Sequence, residues 1–168
     1  MNMNHKREFT TFESLWNDPD LITQEEKDRF LSTHISYATI EVCADWTDIH
    51  KIYDDVMAAL PEKCPNLTMF GGHVSHSYIN GTNIYFVYNL KIQDSENATA
   101  EHYQVMEGVC DEVLKYETGT IAHHHGIGKV RVRKIEEELG SSFPLVRMIK
   151  DQLDPNGIMN PGTLLPLK

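Results

Sequence analysis

The 168-residue chain carries 25 acidic and 15 basic side chains, a formal net charge of −10. That balance argues against nucleic acid as the main partner, since neutralising phosphates with cations is what drives such binding. Hydrophobic residues at 40% suit one globular domain with a real core, and no run approaches the roughly 18 apolar residues of a membrane span.

The opening Met1-Asn2-Met3-Asn4-His5-Lys6 lacks the apolar stretch of a signal peptide, so a cytoplasmic location is expected. Cys43, Cys64 and Cys110 are odd in number with no CxxC spacing, which reads as reduced thiols. Residues 1–32 form a polar N-terminal segment with a turn at Asp18-Pro19-Asp20. Thr23-Gln24-Glu25-Glu26 matches a capping box opening a short helix to about Leu31.

From Ser36 to Cys43 the residues read as a strand. Thr47 is placed to cap a helix whose stripe of Ile49, Ile52, Tyr53, Val56 and Leu60 stops at Pro61. Leu67 to Tyr78 reads as a strand, Asn80-Gly81 as a hairpin turn, and Ile84 to Leu90 as the returning strand. A long helix is expected over about 97–116, its apolar face including Val105, Val109, Cys110 and Val113 and its stop Gly119. Thr120–Ala122 is a short fourth strand, followed by helices over about 129–139 and 143–153.

The order β-α-β-β-α-β predicts an α+β fold: a ferredoxin-like βαββαβ antiparallel sheet with helices on one face, plus C-terminal helices. The second and fourth strands are expected to run in the same direction. That would bring Tyr78 and His123–His125 to one end of the sheet, with Val74, His76 and Tyr78 alternating onto one face.

The segment Gly119-Thr120-Ile121-Ala122-His123-His124-His125-Gly126-Ile127-Gly128-Lys129 concentrates the chemistry. Histidine titrates near neutral pH, so three in a row put proton donors, acceptors or ligands at one spot; a solvated His-rich loop is the blander reading. An HxH pair is half a metal site, with His76 or His73 the only further histidine near that rim and no carboxylate at helical spacing, so no metal is assigned. Tyr78 is either a proton donor or base beside the imidazoles or a strand-end aromatic packed on the sheet. Gly126-Ile127-Gly128-Lys129 lacks the first glycine and the Ser or Thr of a nucleotide P-loop, leaving a simple anion seat open. Lys129, Arg131, Arg133 and Lys134 either hold an anionic substrate or form a solvated helix face.

Three ordered segments carry a resemblance: Gly72-His73-Val74-Ser75-His76-Ser77-Tyr78 with Gly81 and Ile84-Tyr85-Phe86; the triple-histidine segment; and Leu153-Asp154-Pro155-Asn156-Gly157-Ile158-Met159-Asn160-Pro161-Gly162. Over about residues 33–168, where Ala38-Thr39-Ile40-Glu41 and Trp46 fit the same register, the chain resembles the C-terminal cap domain of FAD-linked oxidases of the vanillyl-alcohol-oxidase-like superfamily. It looks most like alkyldihydroxyacetonephosphate synthase and its bacterial relatives. The resemblance implies that Tyr78, His123, His124 and His125 are catalytic residues on the substrate side of a flavin. It also implies that Asn160 lies in the closing segment near that flavin and that Lys129 lies at or near the same rim. Separately from the resemblance, His76 and Lys129 are taken as substrate-binding candidates.

The implied cofactor is FAD, yet no glycine-rich pyrophosphate loop precedes the cap, so the chain alone is expected to bind it weakly. That reads as a fragment, inactive by itself, whose partner is a separate FAD-binding domain or subunit. Its substrate would be a small molecule, with a phosphorylated one fitting the family. A stand-alone ligand-binding or interaction domain that has lost flavin chemistry is the alternative. Apolar surface left open at the missing seam, with Ile84–Tyr88 as a candidate segment, predicts a homodimer.

Overall fold

A computed structural model describes residue 20, residues 23–94 and residues 96–167. The predicted turn at Asp18-Pro19-Asp20 lies outside the described residues, apart from Asp20 itself. The chain divides into two compact units, residues 1–35 and 36–168. In the first, helix α1 (Gln24–Ser32) opens on the predicted capping box. Thr23 Oγ1 accepts the Glu26 amide at 3.2 Å, and Glu26 Oε2 accepts the Thr23 amide at 2.8 Å.

The second unit is built on strand β1 (Ile35–Asp45), helix α2 (Ile49–Lys63), strands β2 (Leu67–His73) and β3 (Gly81–Lys91), and helix α3 (Ala98–Val113). The sheet order is β1-β3-β2. Strands β2 and β3 pair antiparallel with Gly72 opposite Phe86 and His73 opposite Tyr85. Strand β3 starts where β1 ends: the Trp46 amide donates to the Asn80 carbonyl at 3.2 Å, and Gly81 abuts the Ala44 carbonyl. The fold is therefore the α+β, split-βαβ arrangement that the element order predicts.

Alternation sorts the side chains. Ile40, Val42 and Ala44 of β1 and Ile84, Phe86, Tyr88 and Leu90 of β3 are buried in one core. Ile52, Val56 and Leu60 of α2 and Val105, Val109 and Val113 of α3 complete it. Phe86 is fully buried, its ring stacked 5.7 Å from Phe70 and 6.1 Å from Tyr53. A side chain so enclosed contributes about 1.5–3 kcal/mol through removal from water.

Gly81 is required by the strand crossing, because a Cβ there would stand 2.2 Å from the Ala44 oxygen. Gly81→Ala should therefore force β1 and β3 apart and cost about 3 kcal/mol, near the upper end for overpacking. A lowered denaturant midpoint with an unchanged slope would show it; an unchanged midpoint would refute the crossing.

Several predicted elements differ. The fourth strand is reduced to one bridge, Cys43 opposite Thr120, and that bridge is antiparallel to β1. Strands β1 and β2 run alike, each antiparallel to β3, so the segment at Thr120 runs opposite to β2 and not with it. Strand β2 ends at His73, since Asn83 and Thr82 draw the backbone of residues 75–76 into side-chain hydrogen bonds.

Thr47 does not cap α2. Asp45 Oδ1 takes the Thr47 and Asp48 amides at 2.9 and 3.3 Å, and the helix runs past Pro61 to Lys63. The helix expected over 129–139 is broken into α4 (Gly128–Arg131) and α5 (Ile135–Leu139), because the Arg131 side chain turns into the protein instead of along a solvated face. A 3₁₀ turn (Gly140–Ser142) leads into α6 (Phe143–Leu153). In Ile84–Tyr88, the inward Ile84, Phe86 and Tyr88 lie in the core, while Tyr85 and Val87 on the other face of the sheet are half-buried. Exposed apolar side chains gather instead on α6 and the tail after it, with Leu153 and Ile158 each 76% exposed.

Candidate functional site

The loop between β2 and β3 is held by buried polar groups. Asn83, fully buried, accepts the His76 amide through Oδ1 at 2.9 Å, and Thr82 donates its hydroxyl to the His76 carbonyl. The Tyr78 amide donates to the Gly81 carbonyl at 2.9 Å, and the Trp46 indole donates to the Tyr78 carbonyl at 3.1 Å. His76 and Tyr78 are thus fixed in the backbone while their rings, stacked 6.4 Å apart, face solvent.

The histidine loop comes from the other side. After the Thr120 bridge, Ile121 plugs into the core and residues 123–125 curve over Glu41. Glu41 sits between Ile40 and Val42 on β1, so it points to the opposite face of the sheet. It is fully buried, and its Oε1 accepts the amides of His123, His124 and His125 at 2.8, 3.1 and 3.0 Å.

Arg131 locks the same loop. Its guanidinium donates to the carbonyls of Ile121, Gly126 (3.1 Å) and Glu41 (2.9 Å), and lies 4.0 Å from Glu41 Oε1. Burial pushes the Glu41 carboxyl up, but the three amides and the Arg131 charge outweigh it and hold Glu41 below the usual carboxylate range.

The rings then converge. His76 lies 5.1 Å from His124 and 5.4 Å from His123, and Tyr78 lies 5.4 Å from His123. Tyr85 on β3 completes the group: its hydroxyl is 2.6 Å from His124 Nε2 and 3.1 Å from His125 Nε2. His73 stacks on the Tyr85 ring at 5.2 Å. The His123 and His124 Nδ1 atoms face each other at 2.8 Å.

Of the residues singled out from sequence, the structure gathers Tyr78, His76, His123, His124 and His125. The shared rim does not come from parallel second and fourth strands; it comes from the chain leaving the sheet at Ile121 and folding over Glu41. Lys129 stands apart, exposed on α4 and outside these contacts. Asn160 belongs elsewhere, in a left-handed turn (φ 49°) beside a cavity of about 230 Å³ lined by Arg147, Lys150 and Asp154.

Three further residues shape the rim: Glu41 and Tyr85, which the sequence shows only inside longer segments, and Arg131, which it shows only as one of four clustered cations. A lone acid inside an apolar strand was the available signal for Glu41, and Tyr85 on the outward phase of β3 had none.

This arrangement can pass protons among phenols and imidazoles, and it can hold an anionic or polar substrate edge. His76, His123 and His124 each bring one ring nitrogen within 4.8 Å of the others, a grouping that would admit a metal ion, although the sequence reading assigns none. The amides of residues 123–125 could cradle a pyrophosphate, but Glu41 already fills them. The Gly126–Gly128 turn leads into a helix of only four residues, too short for a useful dipole.

The fold and rim define a ferredoxin-like α+β domain presenting a cluster of imidazoles and phenols at one edge of its sheet. A family model described as "FAD linked oxidases, C-terminal domain" matches residues 11–164, and the chain belongs to that family. Among curated proteins, it is 39% identical over 165 residues to an uncharacterized FAD-linked oxidoreductase, YgcU, of Escherichia coli K12, covering 95% of this chain and 34% of that protein. It is 29% identical over 161 residues to the alkyldihydroxyacetonephosphate synthase of Trypanosoma brucei brucei, covering 95% of this chain and 23% of the synthase. A solved alkyldihydroxyacetonephosphate synthase superposes with a TM-score of 0.50 at 20% identity, covering 80% of this chain and 22% of the other, a likeness of fold. The chain therefore spans about a third or less of the length of these relatives. No described helix is long and apolar enough to cross a membrane.

Proposed function

We propose that this chain is the substrate-cap portion of an FAD-dependent enzyme, working against a flavin held by a separate domain or subunit. Bound FAD would supply the redox chemistry. The chain's own residues would bind and orient the substrate and move protons at the flavin's substrate side. Tyr78, His123, His124 and His125 take the proton-transferring role, and His76 meets the substrate beside them. Lys129, one turn past the loop, gives an anionic group such as a phosphate a cation to approach. Asn160 belongs to the surface turned towards the flavin. The observation that carries this reading is the convergence of His76, Tyr78, Tyr85 and the three loop histidines on one rim.

The test is optical. The purified chain, equilibrated with FAD and passed through gel filtration, should emerge folded and colourless. A sample that stays yellow would place the flavin site within these residues and overturn the division of labour.

A further inference from the structure

Glu41 Oε2 is a fully buried carboxylate oxygen with no hydrogen-bond partner, the one such side-chain atom among the described residues. Its neighbours are specific. His124 Nδ1 lies 3.8 Å away and His123 Nδ1 3.9 Å away, and those two nitrogens face each other across 2.8 Å. In the metal-free chain, two bare nitrogens would set their lone pairs against each other beside a buried negative charge. If both carried hydrogen, the hydrogens would collide. One proton between them satisfies the contact, and the carboxylate holds it there by its charge.

We propose that Glu41 is a positioning residue. Its Oε1 fixes the backbone of the triple-histidine loop, and its Oε2 keeps a single proton on the Nδ1 side of His123 and His124. The rim contacts then follow. With its Nδ1 protonated and donating to His123, His124 offers Nε2 as an acceptor to the Tyr85 hydroxyl at 2.6 Å. His123, accepting at Nδ1, carries its hydrogen on Nε2, the ring's other nitrogen. His124 is thus set as an acceptor and His123 as a donor by a residue that touches neither substrate nor flavin.

The other charged and titratable groups around Glu41 fit this assignment. Arg131 spends its guanidinium on carbonyls of the loop and of Glu41 itself. Glu138 is occupied by the Thr120 hydroxyl and the Ile121 amide, and Cys43, next but one on β1, is pushed up by burial and stays a neutral thiol. None offers Oε2 a proton.

This inference rests on the reading of the rim as a proton-transfer site only for its use; its test reads ring protons in the full chain stripped of metal ions by a chelator, without flavin or turnover. Glu41→Gln keeps an oxygen for the three amides but sets an NH₂ group where Oε2 stood. That group carries no charge to hold the proton and turns its own hydrogens towards the two Nδ1 atoms, so a hydrogen on either Nδ1 is disfavoured and the ring contact relaxes. Long-range ¹H–¹⁵N spectra of the imidazoles should show one protonated Nδ1 on the His123–His124 pair in the wild type. That signal should be lost to Nε2 protonation in Glu41→Gln, while Tyr85→Phe retains it.

A purely structural role predicts identical ring spectra for wild type and Glu41→Gln, and that result overturns the proposal. So does a signal that vanishes in Tyr85→Phe, because Tyr85 and not Glu41 would then set the tautomer. If Glu41→Gln fails to fold, the wild-type and Tyr85→Phe spectra still decide, and a wild type with both Nδ1 atoms unprotonated refutes the inference.

Discussion

Glu41→Ala should unfold the histidine loop and cost about 3–5 kcal/mol, the range for removing one member of a buried charged network. The substitution strips the acceptor from three consecutive amides, those of His123, His124 and His125. It also leaves Arg131, 6% exposed, without the negative charge 4.0 Å away. Each buried group left unpaired costs about 1–3 kcal/mol, and water reaching the loop returns part of that sum.

The contribution depends on pH. The folded carboxyl lies below its ordinary value, so the stabilisation is complete above the unfolded value of about 4.3 and is lost as pH falls through the folded value. Urea titrations at neutral pH should show the full gap between wild type and Glu41→Ala. The gap should narrow as the wild type is acidified below about pH 4. A neutral-pH difference under 1 kcal/mol would mean that Glu41 does not hold the loop.

Glu41 also marks the limit of what the sequence could disclose. The strand around it was legible because residues 36–43 are largely β-branched, aromatic or small, and the capping box at Thr23 and the helix Phe143–Leu153 were legible from local chemistry alone. The three histidines announced themselves by type, and Tyr78 and His76 by their place before a hairpin.

What stayed hidden depends on tertiary contact. Strand four fails because the amides after Ile121 find a better acceptor in Glu41 than in a neighbouring strand, and no local propensity records that competition. The basic helix breaks because Arg131 is worth more inside, against three carbonyls, than outside as one charge of a solvated face. Tyr85 is the plainest case. It looked like one aromatic of an apolar strand, and only the register with His73 and the folded-over loop make it a partner of two imidazoles.

The wild-type chain alone should self-associate at tens of micromolar, and charge placed on α6 should abolish it. Leu145, Met148, Ile149 and Leu153 recur at i, i+3, i+4 and i+8, the spacing of a helix face that packs against something. Yet α6 contains no buried residue, and these side chains are 55%, 55%, 50% and 76% exposed. The tail extends the patch through Ile158, Met159 and Leu167.

In the longer assembly we propose, this surface is the natural seam for a flavin domain, and such inter-domain contacts bury about 600–1,500 Å². Without that domain, a second copy is the nearest apolar surface. The net charge of −10 opposes pairing only at long range, which salt at about 0.15 M screens beyond about 8 Å. Met148→Glu with Leu153→Glu would remove two side chains worth about 1.5–3 kcal/mol each on burial and bring two like charges together at a two-fold contact. Dissociation should tighten or loosen by about tenfold per 1.4 kcal/mol, so the double variant should weaken pairing by about 100-fold or more. Both positions are exposed in the single chain, so its folding stability should move by no more than about 0.5 kcal/mol per site. Sedimentation velocity at several concentrations decides the matter: a wild type that is monomeric and independent of concentration leaves α6 without the role of a seam, and a double variant that still associates moves the contact to another face.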